Sequence, residues 1–486
     1  MSARGGRKTR GGIRFPGKRL LLVSNRPPYY FKLEGSEGPP ELVRGTGGLV
    51  TALDPVMKKS GGEWFALVNR DSYKFPTRVK VRDEGGGPGY TINFLKVDGL
   101  LLDGFYVGFS NSTLWPLFHC FLGRTVFEKE YWDNYLRVNA YVANVIGRRV
   151  NDGDFVWVHD YHFMLLPKLL RRTGKRISVG FFLHIPFPPL DILMTMPWAE
   201  DVLEGILGSD LIGFHTEGYL RNFLDSVEHL LEARVDRARG IIHYGGRKIK
   251  CGRFPISIDY ERFKSVALDE NTARRVKGIR EAFGVRNLGI GVDRLDYTKG
   301  VLERLIAIEK LLDRYKDLRR NFVFIQLTVP SREKVTEYEE MKRTIDEVVG
   351  RINGKFAERG WVPIHYYYRS FQFENLVSYY RAADVGVVTP LKDGMNLVSK
   401  EYVVSKVGLP GALILSELTG AADELKEAHL VNPYDIDAVA DAIYMALSLP
   451  DHVKKERMER LNRRIMKNDI YAWLDSFITE WSKVDL

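Results

Sequence analysis

The stretch Leu288–Leu327, LGIGVDRLDYTKGVLERLIAIEKLLDRYKDLRRNFVFIQL, contains a short apolar run, a polar loop, a long amphipathic segment and a second apolar run. Leu288–Asp293 and Phe322–Leu327 are apolar throughout rather than alternating, as strands covered on both faces must be. Between them, Val301–Leu318 places Leu302, Leu305, Ile306, Ile308, Leu311 and Leu312 on one helical stripe. A strand, a crossover helix and a further buried strand imply a parallel sheet. The same pattern extends outward. Val385–Thr389 and Ala412–Ser416 follow it, while Arg19–Ser24, Asp154–His159, Ser178–His184 and Leu211–His215 precede it. Helical patterns at Tyr131–Arg149 and Thr216–Ala233 fall between the earlier runs. The pattern restarts near Cys251–Tyr260, where a strand-like run meets Pro255. Two doubly wound α/β domains are therefore expected, with ligands at the carboxyl ends of their strands.

The 486 residues have a formal charge of +10, which invites a nucleic-acid reading. Seven of those charges lie in residues 1–19, where no acid occurs, leaving +3 for the other 467 residues. Such a block reads as a flexible arm, and no specific nucleic-acid partner is expected. At 45% hydrophobic and 28% charged, the composition is that of a globular protein. Two cysteines, Cys120 and Cys251, exclude a disulfide framework and favour a reducing, cytoplasmic setting. No apolar run is long enough to span a bilayer, and no apolar stretch follows the basic N-terminus, so neither a membrane nor secretion is expected. The composition leaves a homo-oligomer open.

Polar residues just after the apolar runs are the candidates for chemistry. Gly45–Gly48 (GTGG) fails the dinucleotide fingerprint, because the first strand ends twenty residues earlier and position 50 is Val50. It reads either as a plain turn into a helix over Leu49–Met57 or as a phosphate-holding helix start. Asp152-Gly153-Asp154 reads as a turn entering the sheet more readily than as a cation site. His159 and Asp160 close a strand and should point to opposite faces, which disfavours a shared metal and leaves Asp160 as a site carboxylate. His184 also ends a strand, before Ile-Pro-Phe-Pro. Arg294 and Lys299 stand just before a helix N-terminus, where cations oppose the macrodipole. A bound diphosphate accounts for that placement; pairing with Asp293 and Asp296 is the alternative. In Pro390–Glu401, Asp393-Gly394 reads as a tight turn and Met395–Lys400 as the first turns of a helix. Free amides there suit phosphate, Asp393 suits sugar hydroxyls and Glu401 suits a ribose diol. Protein cations, rather than a metal, would neutralise the leaving diphosphate.

These residues resemble the trehalose-6-phosphate synthase family of retaining glucosyltransferases. The resemblance runs over about residues 19–484 on Ser24–Pro27, Thr46–Leu49, FSNSTLWPLFH (Phe109–His119), VHDYH, FFLHIPFP, DRLDYTKG and LKDGMNLVSKEY. It implies two Rossmann-like domains facing across a cleft, the GT-B arrangement. The divisions would be a basic arm (1–18), an acceptor domain (19–256), a nucleotide-sugar domain (257–468) and a C-terminal helix crossing back (469–486). By resemblance, Gly47, Gly48, Arg294 and Lys299 bind the donor diphosphate. Asp393 and the amides of Gly394, Met395 and Asn396 hold the donor glucose, with His184 near its 6-hydroxyl. Leu397, Val398 and Glu401 contact phosphate and ribose, and Phe371 lies at the base. Arg26 and Arg332 clamp the acceptor phosphate beside Tyr106 and Trp115, with Asp160 on the acceptor sugar. The implied reaction moves glucose from a nucleotide diphosphate to glucose 6-phosphate with retention, and needs neither metal nor cofactor. A related synthase with another phosphorylated acceptor, such as glycerol 3-phosphate, and a silent sugar-phosphate sensor stay open. After Trp64 the usual Gly-Trp-Ser-Gly-like turn is replaced by Phe-Ala-Leu-Val-Asn-Arg-Asp71, which bears on the acceptor pocket. No Asp-x-Asp-Gly-Thr phosphatase motif occurs, so the product is expected to remain phosphorylated.

Overall fold

The computed structural model describes residues 19–33, 40–45, 48–331 and 336–484. The basic arm (1–18), Gly47 and Arg332 lie outside the described residues. The chain divides into two compact units, one running to Phe254 and including Leu474 onward, the other spanning Pro255–Trp473.

Each apolar run named above forms a strand covered on both faces, which puts its consecutive apolar side chains away from water. In the second unit six strands pair in the order Ile364–Tyr368, Phe322–Val329, Asn287–Arg294, Val385–Val388, Ala412–Ser416 and His429–Val431, all parallel. Numbered by appearance within the unit, that order is 3-2-1-4-5-6, the doubly wound Rossmann order. Its topological switch lies between Asn287–Arg294 and Val385–Val388, where the crossover helices part to opposite faces.

The first unit repeats the plan in a ten-stranded sheet. Its parallel part runs Tyr90–Val97, Glu63–Asn69, Leu20–Val23, Phe155–His159, Ser178–Phe182, Leu211–Phe214 and Arg247–Arg253. Arg78–Val81 adds an antiparallel strand at one edge, and Ile241–Tyr244 with Arg234–Asp236 add two at the other. The switch here lies between Leu20–Val23 and Phe155–His159.

The helices agree with the apolar stripes to within a few residues: Lys129–Gly147, Glu217–Leu230 and Val301–Arg314. The last ends at Arg314 because Tyr315 leaves helical backbone, and Lys316–Leu318 continues as a separate 3₁₀ turn. No described helix is long and apolar enough to cross a membrane.

The terminal helix Ile470–Trp481 opens with Ile470 N–H donating to Ile258 O at 3.0 Å. From Leu474 its residues belong to the first unit. Phe477 stacks on Trp157 at 4.7 Å, and buried Trp481 donates its indole N–H to Ser178 Oγ at 2.8 Å. Gly213 makes this approach feasible, since a Cβ there would lie 2.6 Å from Phe182 and 2.8 Å from Phe477. Trp481→Ala should therefore cost the whole fold about 3–5 kcal/mol, through lost burial and an unfilled cavity. Denaturant unfolding followed by circular dichroism measures this; a loss below 1 kcal/mol would contradict it.

Candidate functional site

The switch in the first unit gathers one set of the residues singled out from sequence. The chain leaves Leu20–Val23 through Ser24, whose hydroxyl donates to Arg26 O at 2.8 Å and accepts the indole N–H of buried Trp64 at 2.8 Å. Arg26 Nη2 donates to Tyr106 Oη at 3.1 Å. Tyr106 belongs to a π-helical segment, Gly104–Leu114, a rare widened helix that is frequent at functional sites. Two side chains match its i−5 spacing: Asn111 Nδ2 donates to Tyr106 O at 2.7 Å, and Ser112 Oγ to Val107 O at 2.8 Å. Tyr106 stacks on His162, and Trp115 lies 5.7 Å from Tyr161, whose hydroxyl donates to Asn111 Oδ1 at 3.0 Å.

Asp160 follows Phe155–His159 at the switch with φ 74° and ψ 172°, a backbone conformation that normally needs glycine. Its Oδ1 accepts the backbone N–H of His184 at 3.1 Å. The adjacent His159 Nδ1 lies 3.1 Å from His184 Nε2. His159 and Asp160 thus meet different parts of His184, its ring and its backbone N–H. Burial, with smaller contributions from His159 and His215, holds His184 well below the usual imidazole range, so its ring is neutral. His159 is pushed down to about 3 by burial.

The switch in the second unit gathers the other set. Lys299, only 12% exposed, donates to Asp393 Oδ2 at 2.7 Å, and Asn396 Nδ2 donates to the same oxygen at 3.1 Å. Arg294 is 40% exposed and lies 3.6 Å from Asp296. Pairing thus takes up Arg294 through Asp296, whereas Asp293 meets Arg304 instead. Leu391 N–H donates to Thr298 O at 2.8 Å, which ties together the two loops that carry these cations and carboxylates.

Two local expectations need correction here. Asp393-Gly394 is not a tight turn: Asp393 makes an isolated parallel bridge with Thr419, which draws the loop toward the neighbouring strand end. The helix begins at Leu397, not Met395, because Asn396 is its N-cap, accepting Ser399 N–H at 3.0 Å with φ 68°. Met395 and Asn396 therefore precede the helix, and Leu397 and Val398 open it with free amides. Glu401 accepts the Tyr380 hydroxyl at 3.0 Å. Phe371 sits in an aromatic group with Tyr367 and Tyr379, with the Arg369 guanidinium 5.0 Å from its ring centre.

Other residues resolve into ordinary structure. Asp154 holds Arg19, and Asp152 accepts Arg176 N–H. Gly48 opens the helix Gly48–Ser60. At the departure after Trp64, Arg70 pairs with Asp98 at the surface and Asp71 accepts Gly99 N–H at 3.0 Å. Sequence reading missed Trp64 as a support for Ser24, and Arg304 altogether. An indole ahead of an unmatched motif and an arginine on an apolar helix stripe were the only signals.

Two Rossmann-type units, with cations and a helix N-terminus at the switch of one and a strained carboxylate at that of the other, suit an enzyme of the glycosyl-transferring class. The profile of Glycosyltransferase family 20 matches residues 18–483, and the chain belongs to that family, as a hexosyltransferase. It is 39% identical to a trehalose-6-phosphate synthase of Mycolicibacterium vanbaalenii, over 98% of each chain. A bifunctional trehalose-6-phosphate synthase/phosphatase of Thermoproteus tenax is 41% identical over 95% of this chain and 63% of its own length. Among solved structures, a UDP-forming α,α-trehalose-phosphate synthase from Burkholderia vietnamiensis is similar with TM-score 0.87 and 36% identity, covering 96% of this chain and 97% of that one. The E. coli protein solved with UDP-2-fluoro glucose gives 0.87 and 35%, over 96% and 100%. A Burkholderia xenovorans enzyme solved with glucose-6-phosphate gives 0.85 and 33%, over 96% and 100%.

Burial pushes the Glu401 carboxyl up to about 7 from the ordinary 4.5. Between those values the folded chain keeps a proton that the unfolded chain has released, so stability falls as pH rises through the window. Relative to Glu401→Gln, the wild type should lose on the order of 2 kcal/mol between pH 5 and pH 7. Urea unfolding of both proteins at each pH reads the difference, and parallel profiles would contradict it.

Proposed function

We propose that this chain transfers glucose from a nucleotide diphosphate, UDP-glucose or a related donor, to the anomeric oxygen of glucose 6-phosphate. The product is α,α-trehalose 6-phosphate, formed with retention. The observation that carries this reading is the Lys299–Asp393 contact beside Arg294 and the Leu397 helix start, at the switch where a Rossmann sheet binds its ligand. The ligands of the similar structures, glucose-6-phosphate and UDP-2-fluoro glucose, support the same pair of substrates.

Each group has a physical task in this reading. Arg294 and Lys299 neutralise the diphosphate as its bond to glucose breaks, with the amides of Leu397 and Val398 adding fixed dipoles. Lys299 also orients Asp393, whose carboxylate accepts donor-sugar hydroxyls together with the backbone of Gly394 to Asn396. Neutral His184 donates to, or accepts from, the 6-hydroxyl. Glu401 binds the ribose diol and Phe371 lies at the base. On the acceptor side, Arg26, Tyr106 and Trp115 hold glucose 6-phosphate, and Asp160 binds its sugar. Gly47 and Arg332 complete the two phosphate sites. The departing phosphate oxygen takes the acceptor proton on the face from which the nucleotide leaves, so no enzyme nucleophile is used. With the charge met by protein cations, the reaction needs no resident metal or cofactor. With only two cysteines, Cys120 and Cys251, the composition supports a cytoplasmic setting, and the partners are sugar-phosphate substrates rather than nucleic acid.

A matrix of nucleotide-glucose donors against phosphorylated acceptors, run in a metal chelator, tests the reading. Turnover with glucose 6-phosphate is expected; turnover with glycerol 3-phosphate alone would overturn the acceptor assignment. Lys299→Ala and Arg294→Ala should each lower kcat about 100- to 1000-fold, as when one transition-state donor is removed. Near-normal kcat in both would refute the donor site.

A further inference from the structure

Arg304 stands in the first turn of the helix Val301–Arg314, yet its side chain is fully buried, with 0% exposure. A guanidinium leaves water only where several acceptors meet it. Here Nη1 donates to Asp293 Oδ2 and, at 3.1 Å, to Gln326 Oε1. Nε donates to Thr389 Oγ1 at 3.0 Å, and Nη2 to the carbonyl oxygen of Lys299 at 3.1 Å. These acceptors belong to different segments. Asp293 precedes Arg294 at the end of its strand, and Lys299 is itself one of the two cations. Thr389 begins the loop that leads to Asp393.

We infer that Arg304 is a positioning residue for the donor-diphosphate site: one buried guanidinium fastens the segments carrying Arg294, Lys299 and Asp393 in a single geometry. This rests on the assignment of those three residues to the donor. Stability alone does not account for the arrangement, because an apolar pair of similar volume usually serves a fold as well as a buried ion pair. Burial raises the Asp293 carboxyl despite the adjoining guanidinium, so the pair stands at a desolvation cost. An apolar pair could not bond the Lys299 carbonyl and the Thr389 hydroxyl at once, whereas the planar fork of arginine can. The strand also leaves room for the network. A Cβ on Gly291 would fall 2.5 Å from Gln326 Oε1 and 2.8 Å from Arg304 Nη1. Lys299 must meet a charge that develops only as the bond breaks, and a displacement of about 1 Å costs about 100-fold in rate.

Three variants separate positioning from folding. Arg304→Lys keeps the charge opposite Asp293 but cannot reach all four acceptors. The double variant Arg304→Met/Asp293→Asn removes both charges together. Thr389→Val removes one acceptor with little change of shape. Each is assayed well below its own thermal unfolding midpoint, with Lys299→Ala alongside. The expected result is a kcat lowered about 10- to 100-fold in Arg304→Lys and in the double variant, with acceptor KM unchanged. A smaller fall of the same kind is expected in Thr389→Val. Wild-type kcat in folded Arg304→Lys and Thr389→Val, while Lys299→Ala is inactive, would overturn the positioning role and leave the donor site standing. Full activity of Lys299→Ala would overturn both. Should the double variant fail to fold, Arg304→Lys and Thr389→Val still decide the question.

Discussion

A parallel sheet that reverses its strand order must send the crossover helices on either side of the reversal to opposite faces. The carboxyl ends of the two strands at that point are then left uncovered. Both units of this chain are built around that constraint. In the first the strands are Leu20–Val23 and Phe155–His159; in the second they are Asn287–Arg294 and Val385–Val388. Arg26 and Asp160 emerge from one pair, and Arg294, Lys299 and Asp393 from the other. Strand order therefore selects which loops can hold a ligand, and the surrounding hydrophobic packing supports those loops rather than forming the site.

The charges of the molecule divide along the same line. Cations such as Arg314, Arg351 and Lys355 pair at the surface, where an ion pair contributes little. Two of the cations that matter, Lys299 and Arg26, are each held by two contacts. Lys299 is fixed by Asp393 at its ammonium and by Arg304 at its carbonyl. Arg26 is fixed by Tyr106 at its guanidinium and by Ser24 at its carbonyl. Such double tethering keeps a cation in place before charge develops, and preorganisation of this kind makes electrostatic stabilisation effective. Two of the five described non-glycine residues with positive φ also stand at the switches. Asp160 and Asn396, each at a switch, adopt positive φ although neither is glycine. Their side chains compensate with bonds to His184 N–H and Ser399 N–H.

The sequence by itself determined the class of the fold and the residues of interest. Short apolar runs such as FVFIQL and SVGFF, recurring between amphipathic segments, suit strands covered on both faces. The stripe in Val301–Leu318 suits a packed helix, which the structure ends at Arg314. Placing polar residues just after those runs was enough to single out Asp160, His184, Arg294, Lys299 and Asp393. Tertiary structure alone decided how they are held. Strand order is set by pairing between segments far apart in the chain, and no local period encodes it. Asp160 takes a positive φ and bonds the His184 N–H, which no local pattern announces. The helix start moved to Leu397 because the Asn396 side chain caps it while bonding Asp393. Arg304 reads as an ordinary helical residue until folding brings Asp293, Gln326, Thr389 and the Lys299 carbonyl around it. A buried guanidinium is recognised by its acceptors, and these come from strands and loops that are separate in sequence.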